Sequence, residues 1–169
     1  MVITEKEKNW YALYTRYRHE KKVEYQLKQK GIDTYLPMRK ILRKWSDRKK
    51  WIAEPLFNCY IFIYSDTKGR YEAIQSHGAV RIITFGGRPA VVKENEIRYI
   101  KSILSEFPNA QPCRNIPVGS RVKICRGPLA GVEGILTESK NKNRMIVCLD
   151  SINQGVYFNV DVHDICKIR

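Results

Sequence analysis

No stretch of the chain approaches the roughly eighteen consecutive apolar residues of a membrane helix. The N-terminal Met-Val-Ile-Thr-Glu-Lys-Glu-Lys has no apolar core for a signal peptide. A cytoplasmic protein with no membrane partner is expected. Acidic residues are scarce: 17 Asp and Glu stand against 31 Lys and Arg, a net charge of +14. The five cysteines are odd in number and form no C-x-x-C pair. The nearest approach to a ligand pair, His163-x-x-Cys166, has no second pair, so neither a zinc site nor a dithiol motif is supported. All five are expected to be reduced thiols, mostly packed in strands.

Catalytic groups are equally sparse. His19, His77 and His163 are scattered, with no nucleophile motif around them. There is no Walker-type loop, no G-x-G-x-x-G after a strand and no H-E-x-x-H. The run Gly127-Pro128-Leu129-Ala130-Gly131-Val132-Glu133-Gly134 is followed by neither Lys-Ser/Thr nor a helix, and reads as a tight inter-strand turn. An enzyme is not expected, nor a metal or cofactor.

What the chain does have is size, core and basic charge. Its 169 residues suffice for one ordinary domain or two small ones, and 43% hydrophobic residues support a core. The positive charge favours a polyanion partner and is silent on fold. It is unevenly spread: residues 16–50 hold thirteen Lys and Arg against four Asp and Glu, residues 111–169 nine against five. Nucleic acid is therefore expected on the first third.

Trp10–Thr15 reads as a strand and Arg18–Lys30 as a helix, with Gly31 placed to stop it. Val23 and Leu27 mark its inner face, and Glu24 is spaced to pair with Lys28. Ile32–Trp45 reads as a strand, Ser46–Lys50 as a hairpin tip, and Trp51–Tyr64 as the return strand, interrupted at Asn58-Cys59. Lys68–Ser76 and Glu94–Leu104 are helical, the latter striped by Ile97, Ile100, Ile103 and Leu104. Val80–Phe85 is a strand ending in the turn Gly86-Gly87-Arg88-Pro89. This order predicts a ferredoxin-like α+β sandwich over residues 1–106. Residues 107–117 carry three prolines and read as a linker. Residues 118–169 alternate in short runs that predict a small five-stranded barrel.

Two surfaces stand out. Arg18, Lys21, Lys22, Tyr25 and Lys28 share a helix face, with Tyr14 and Tyr17 nearby and Arg39, Lys40, Arg43 and Lys44 on the hairpin. Such a face is either simply solvated or binds nucleic acid, cations tracking phosphates while aromatics stack on bases. Leu56, Phe57, Phe85, Ile97 and Ile100 either pack in the core or form an apolar pocket that receives a partner helix.

Trp10-Tyr11-Ala12-Leu13-Tyr14, the basic helix, Pro55-Leu56-Phe57-Asn58-Cys59-Tyr60-Ile61-Phe62, and the segment from Gly119-Ser120-Arg121-Val122-Lys123 to Gly134 together resemble the NusG family of transcription elongation factors. The first part is similar to the NusG N-terminal domain, the last to a KOW motif in an SH3-like barrel. Tyr14-Thr15-Arg16-Tyr17-Arg18-His19-Glu20-Lys21-Lys22 and Trp45-Ser46-Asp47-Arg48 most resemble specialised RfaH/UpxY-type paralogues, the latter serving capsular polysaccharide operons. General members usually carry Pro-Gly where this chain has Asn58-Cys59. No clear match to the His-Thr-Thr cluster of RfaH lies near Arg70-Tyr71-Glu72.

The resemblance implies a monomeric antitermination factor that binds the clamp helices of the RNA polymerase β′ subunit and the non-template DNA strand. It implies polymerase contacts at Tyr14, Phe57, Phe85, Ile97 and Ile100. It implies DNA contacts at Arg16, Tyr17, Arg18, His19 and Lys22, with His77 a lesser candidate. The KOW part implies Rho or ribosomal protein S10 as partner; Leu129, Ile135 and Phe158 are either that surface or barrel core. The rival readings are a general elongation factor coupled to Rho or the ribosome, and a ribosome- or RNA-binding KOW protein.

Overall fold

The computed structural model describes residues 7–114, 118–139 and 142–168. Of the expected linker, residues 115–117 lie outside the described residues, as do residues 1–6 ahead of the first strand. In chain order the elements begin with β1 (Asn9–Thr15), α1 (Glu20–Gln29), β2 (Asp33–Tyr35), β3 (Met38–Lys44), β4 (Lys49–Pro55) and β5 (Tyr60–Ser65). Then come α2 (Thr67–Ile74), β6 (Ala79–Ile82), β7 (Thr84–Phe85), β8 (Arg88–Pro89), β9 (Val91–Val92) and α3 (Glu94–Glu106). The last group is β10 (Gln111–Cys113), β11 (Ser120–Ile124), β12 (Glu133–Ser139), β13 (Lys142–Leu149), β14 (Gln154–Asn159) and β15 (Ile165–Lys167). The fold is mixed α/β and mostly strand. It divides into two units, residues 7–37 with 57–94, and residues 38–56 with 95–168.

The first unit is built on an antiparallel sheet in the order β2-β5-β1-β6, with β9 also paired to β1. Tyr11, Ala12 and Leu13 of β1 and Ile61, Phe62 and Ile63 of β5 are buried on both faces, giving the apolar run expected of a central strand. Arg70 of α2 lies over the Tyr11 ring at 4.4 Å, which puts α2 on that side of the sheet. The other side carries aromatic cross-strand pairs, Trp10 with Tyr64 and Tyr14 with Tyr60. Helix α1 buries Val23 and Leu27 as its spacing predicts, and Glu24 pairs with Lys28 at 2.8 Å. Gly31 follows at φ +70°, where a β-carbon would be strained.

In the second unit β3 and β4 form a two-stranded hairpin. The rest of its strands make an antiparallel sheet of six, ordered β10-β14-β13-β12-β11-β15, consistent with a small β domain. Its core is Val122, Val132, Met145, Val147, Leu149, Val156 and Phe158. Helix α3 buries its stripe of Ile97, Ile100 and Ile103.

Several expectations need correction. The strand expected over Ile32–Trp45 is two strands in different sheets, β2 and β3, and its return is likewise split into β4 and β5. Pro37 and Pro55 stand at the breaks, where the absent N–H and fixed φ interrupt a ladder. Val80–Phe85 divides in the same way into β6 and β7, the latter closing a hairpin with β8 through Gly86 and Gly87, both at positive φ. The sequence pattern predicts five strands in the C-terminal sheet. The sixth, β10, comes from the proline-rich stretch and pairs with β14, Pro112 sitting opposite Val156 on an edge strand that tolerates it. Cys125 and Cys166 are joined in a disulfide and are not free thiols. Pairing of β11 with β15 sets Ile124 against Ile165 and so brings together cysteines 41 residues apart.

Candidate functional site

The basic loop begins where β1 ends. Thr15 N–H donates to the Cys59 carbonyl at 2.8 Å and Arg16 N–H to the Gly78 carbonyl at 2.8 Å. The chain is thus tied to both flanking strand entrances as it leaves the sheet. Arg18 then takes a left-handed φ of +62°, and His19 N–H donates to the Arg16 carbonyl at 3.1 Å, closing a tight turn. Helix α1 starts at once, its first backbone bond running from Val23 N–H to the His19 carbonyl at 2.8 Å.

Two further contacts fix this root. Glu20 is buried, and its carboxylate accepts the Cys59 N–H at 2.7 Å. Cys59 itself stands at φ +67°, the left-handed region usually given to glycine. On the other flank, the Gln26 amide bonds the His77 backbone in both directions, donating at 3.1 Å and accepting at 3.0 Å. Gly78 is at φ +97°, and a β-carbon there would meet the His19 ring at 2.9 Å. The His19 and His77 rings lie 6.0 Å apart. His77, the lesser candidate, therefore lies beside His19.

The result is a short loop with rigid ends that displays Arg16, Tyr17 and Arg18 to solvent. The Arg18 guanidinium sits 5.2 Å from the Tyr17 ring centroid. Lys21, Lys22, Tyr25 and Lys28 continue the exposed face along α1, while His19 is half-buried. Cations and an aromatic ring side by side on a fixed backbone can take a phosphate and an adjacent base together.

The apolar candidates separate. Phe85, on the β7–β8 hairpin, is 87% exposed. Tyr14 is half-buried on the aromatic side of the sheet, edge-on to Tyr60 at 5.3 Å with the Arg81 guanidinium 5.9 Å from its ring centroid. Phe57 is wholly buried, edge-on to Phe62 at 6.4 Å. Leu56, Ile97 and Ile100 are also interior. Of the two readings open for these side chains, core packing holds for Leu56, Phe57, Ile97 and Ile100, as it does for large apolar side chains at sheet entrances and on a helix stripe, while Phe85 lies outside. In the C-terminal sheet Leu129 and Phe158 are core, and Ile135 is half-buried.

Known proteins place this architecture. The chain is 22% identical to the structure described as "Domain interaction in Thermotoga maritima NusG", covering 96% of this chain and 98% of that one with a TM-score of 0.56, which shows a shared fold. Two crystal structures of the MjSpt4:Spt5 complex, conformations A and B, are 15% and 16% identical. They match 94% of this chain and 97% and 96% of theirs, at a TM-score of 0.34 each. The family model described as "Transcription termination factor nusG" matches residues 8–101, more than half of the chain and all of β1 through most of α3. The chain therefore belongs to the NusG family of transcription factors.

Proposed function

We propose that this protein travels with RNA polymerase as an operon-specific antitermination factor, docking on the β′ clamp helices and holding the non-template DNA strand. The observation that carries the reading is the pairing, within one unit, of a solvent-exposed Phe85 with the anchored loop Arg16-Tyr17-Arg18. Phe85 and Tyr14 meet the coiled coil, while Phe57, Ile97 and Ile100 stay buried. Arg16, Tyr17, Arg18, His19 and Lys22 take the DNA strand, with His77 beside them. Operon restriction is supported by the string Tyr14–Lys22 and by Asn58-Cys59 in place of the usual Pro-Gly. The proposal keeps two modules, residues 1–106 as a ferredoxin-like sandwich and 118–169 as a KOW barrel, the latter offering the half-buried Ile135 to Rho or ribosomal protein S10.

No bond is made or broken in this scheme. The protein shifts polymerase between conformations only by binding one of them more tightly. A clamp held shut and a non-template strand held open both oppose pausing. In vitro transcription on long templates with several leader sequences tests this. Added protein is expected to shorten pauses and raise read-through on some leaders and not others. The double variant Arg16→Ala/Arg18→Ala is expected to lose that selectivity. Equal effects on every leader would leave a general elongation factor; no effect on any would end the reading.

A further inference from the structure

The β3–β4 hairpin carries a second surface, distinct from the loop and helix α1. Its base is secured: Lys40 N–H donates to the Pro108 carbonyl at 2.6 Å, and the Arg39 guanidinium bonds Glu54 at 2.6 Å and Gln111. Beyond that base every residue from Leu42 to Trp51 is exposed. Directly opposed residues in an antiparallel pair share a face. The register therefore puts Arg39, Glu54, Arg43 and Lys50 on one face, and Lys40, Leu42, Trp51, Lys44 and Lys49 on the other. Glu54 answers Arg39 and Arg43 on the first face, at 2.6 and 3.4 Å. On the second face, none of the ion pairs among the described residues uses Lys40, Lys44 or Lys49. At its centre Trp51 is 59% exposed beside a half-exposed Leu42. Trp51 and Lys40 also wall an open groove of about 560 Å³ with Ile52, Ala53, Pro108 and Asn109.

We propose that this second face binds single-stranded DNA, a base stacking on Trp51 in the groove while Lys40, Lys44 and Lys49 take the flanking phosphates. An indole left bare among uncompensated cations is stabilised by a ligand that is both polyanionic and planar, and a single strand offers both. A duplex hides its base faces and fits less well. A protein helix of acidic character would match the charge and leave the groove unfilled. Trp45 at the hairpin end, with the Arg48 guanidinium 5.8 Å from its ring centroid, adds a second exposed indole. The surface assignment is independent of the proposed polymerase docking; only the choice of DNA over RNA leans on it.

The test uses the full chain and three labelled probes: dT15, rU15 and a 15-base-pair duplex. Trp51→Ala is expected to weaken dT15 binding about tenfold and duplex binding less than about twofold, with an unchanged melting temperature. Trp51→Phe is expected to restore most of the loss. Replacing Lys40, Lys44 and Lys49 by alanine is expected to flatten the log–log salt slope for dT15 by about 2. Wild-type dT15 affinity in a folded Trp51→Ala protein overturns the proposal. So does an equal loss for strand and duplex, and rU15 binding tenfold tighter than dT15 overturns DNA as the occupant.

Discussion

At Cys59 the backbone φ is +67°, where a β-carbon crowds the following carbonyl. Its N–H is held by the buried Glu20 carboxylate and its carbonyl by Thr15, so the turn cannot relax without breaking the root of the basic loop. Cys59→Val adds β-branching to that conformation and is expected to lower stability by about 1–2 kcal/mol in urea unfolding. Cys59→Gly relieves the crowding but frees the unfolded chain, and is expected to stay within about 1 kcal/mol of the parent. The sequence shows an interruption at Asn58-Cys59. It does not show that the partner is a carboxylate 39 residues earlier, because that contact depends on how β1 and β5 pair. Tyr35 is a second residue whose chemistry only packing reveals. Burial pushes its hydroxyl above the ordinary tyrosine range, so the folded state favours the protonated form. The resulting stability is present below the unfolded value of about 10 and is lost as pH rises through and beyond it. Urea midpoints taken between about pH 9 and pH 11.5 are expected to fall less steeply for Tyr35→Phe than for the parent.

Among the elements, α1 is the most legible in the sequence. Its i, i+4 apolar pair, its charged outer face and its terminal glycine are all local signals, and each finds its place. Leu27→Ala removes a fully buried side chain and is expected to cost about 2–5 kcal/mol. Lys28→Ala breaks only a surface pair and is expected to change stability by less than about 0.5 kcal/mol. Equilibrium unfolding of the two variants side by side checks that contrast. Strands are less legible. Ile32–Trp45 looks continuous by composition, and nothing local says that its halves belong to separate sheets. The same limit governs the apolar candidates. Ile97 and Ile100 show a periodic stripe, and a stripe reads alike whether it faces a core or a partner. Phe57 and Phe85 are both aromatic residues beside turns, yet one is interior and the other projects. Periodicity finds the element; only the arrangement of neighbouring elements decides which face is left open.

Across the whole molecule, charge is most concentrated in residues 16–50, and most of those cations are exposed. Those cations fall on two structures, the α1 loop in one unit and the β3–β4 hairpin in the other, a division that charge alone cannot express. The family was recognisable from strings of residues, and the family model agrees over residues 8–101. What the strings do not reveal is which aromatic side chain stays outside. Phe85 projects from a two-glycine hairpin, so it can be removed without opening the core. The most direct measurement is the affinity of the full chain for the isolated β′ clamp-helix coiled coil, compared between the parent and Phe85→Ala. A binding anchor truncated to alanine is expected to cost about 2 kcal/mol or more, roughly a thirtyfold loss of affinity, with the melting temperature unchanged. Equal affinity in the two proteins, or no binding by either, would contradict the docking claim.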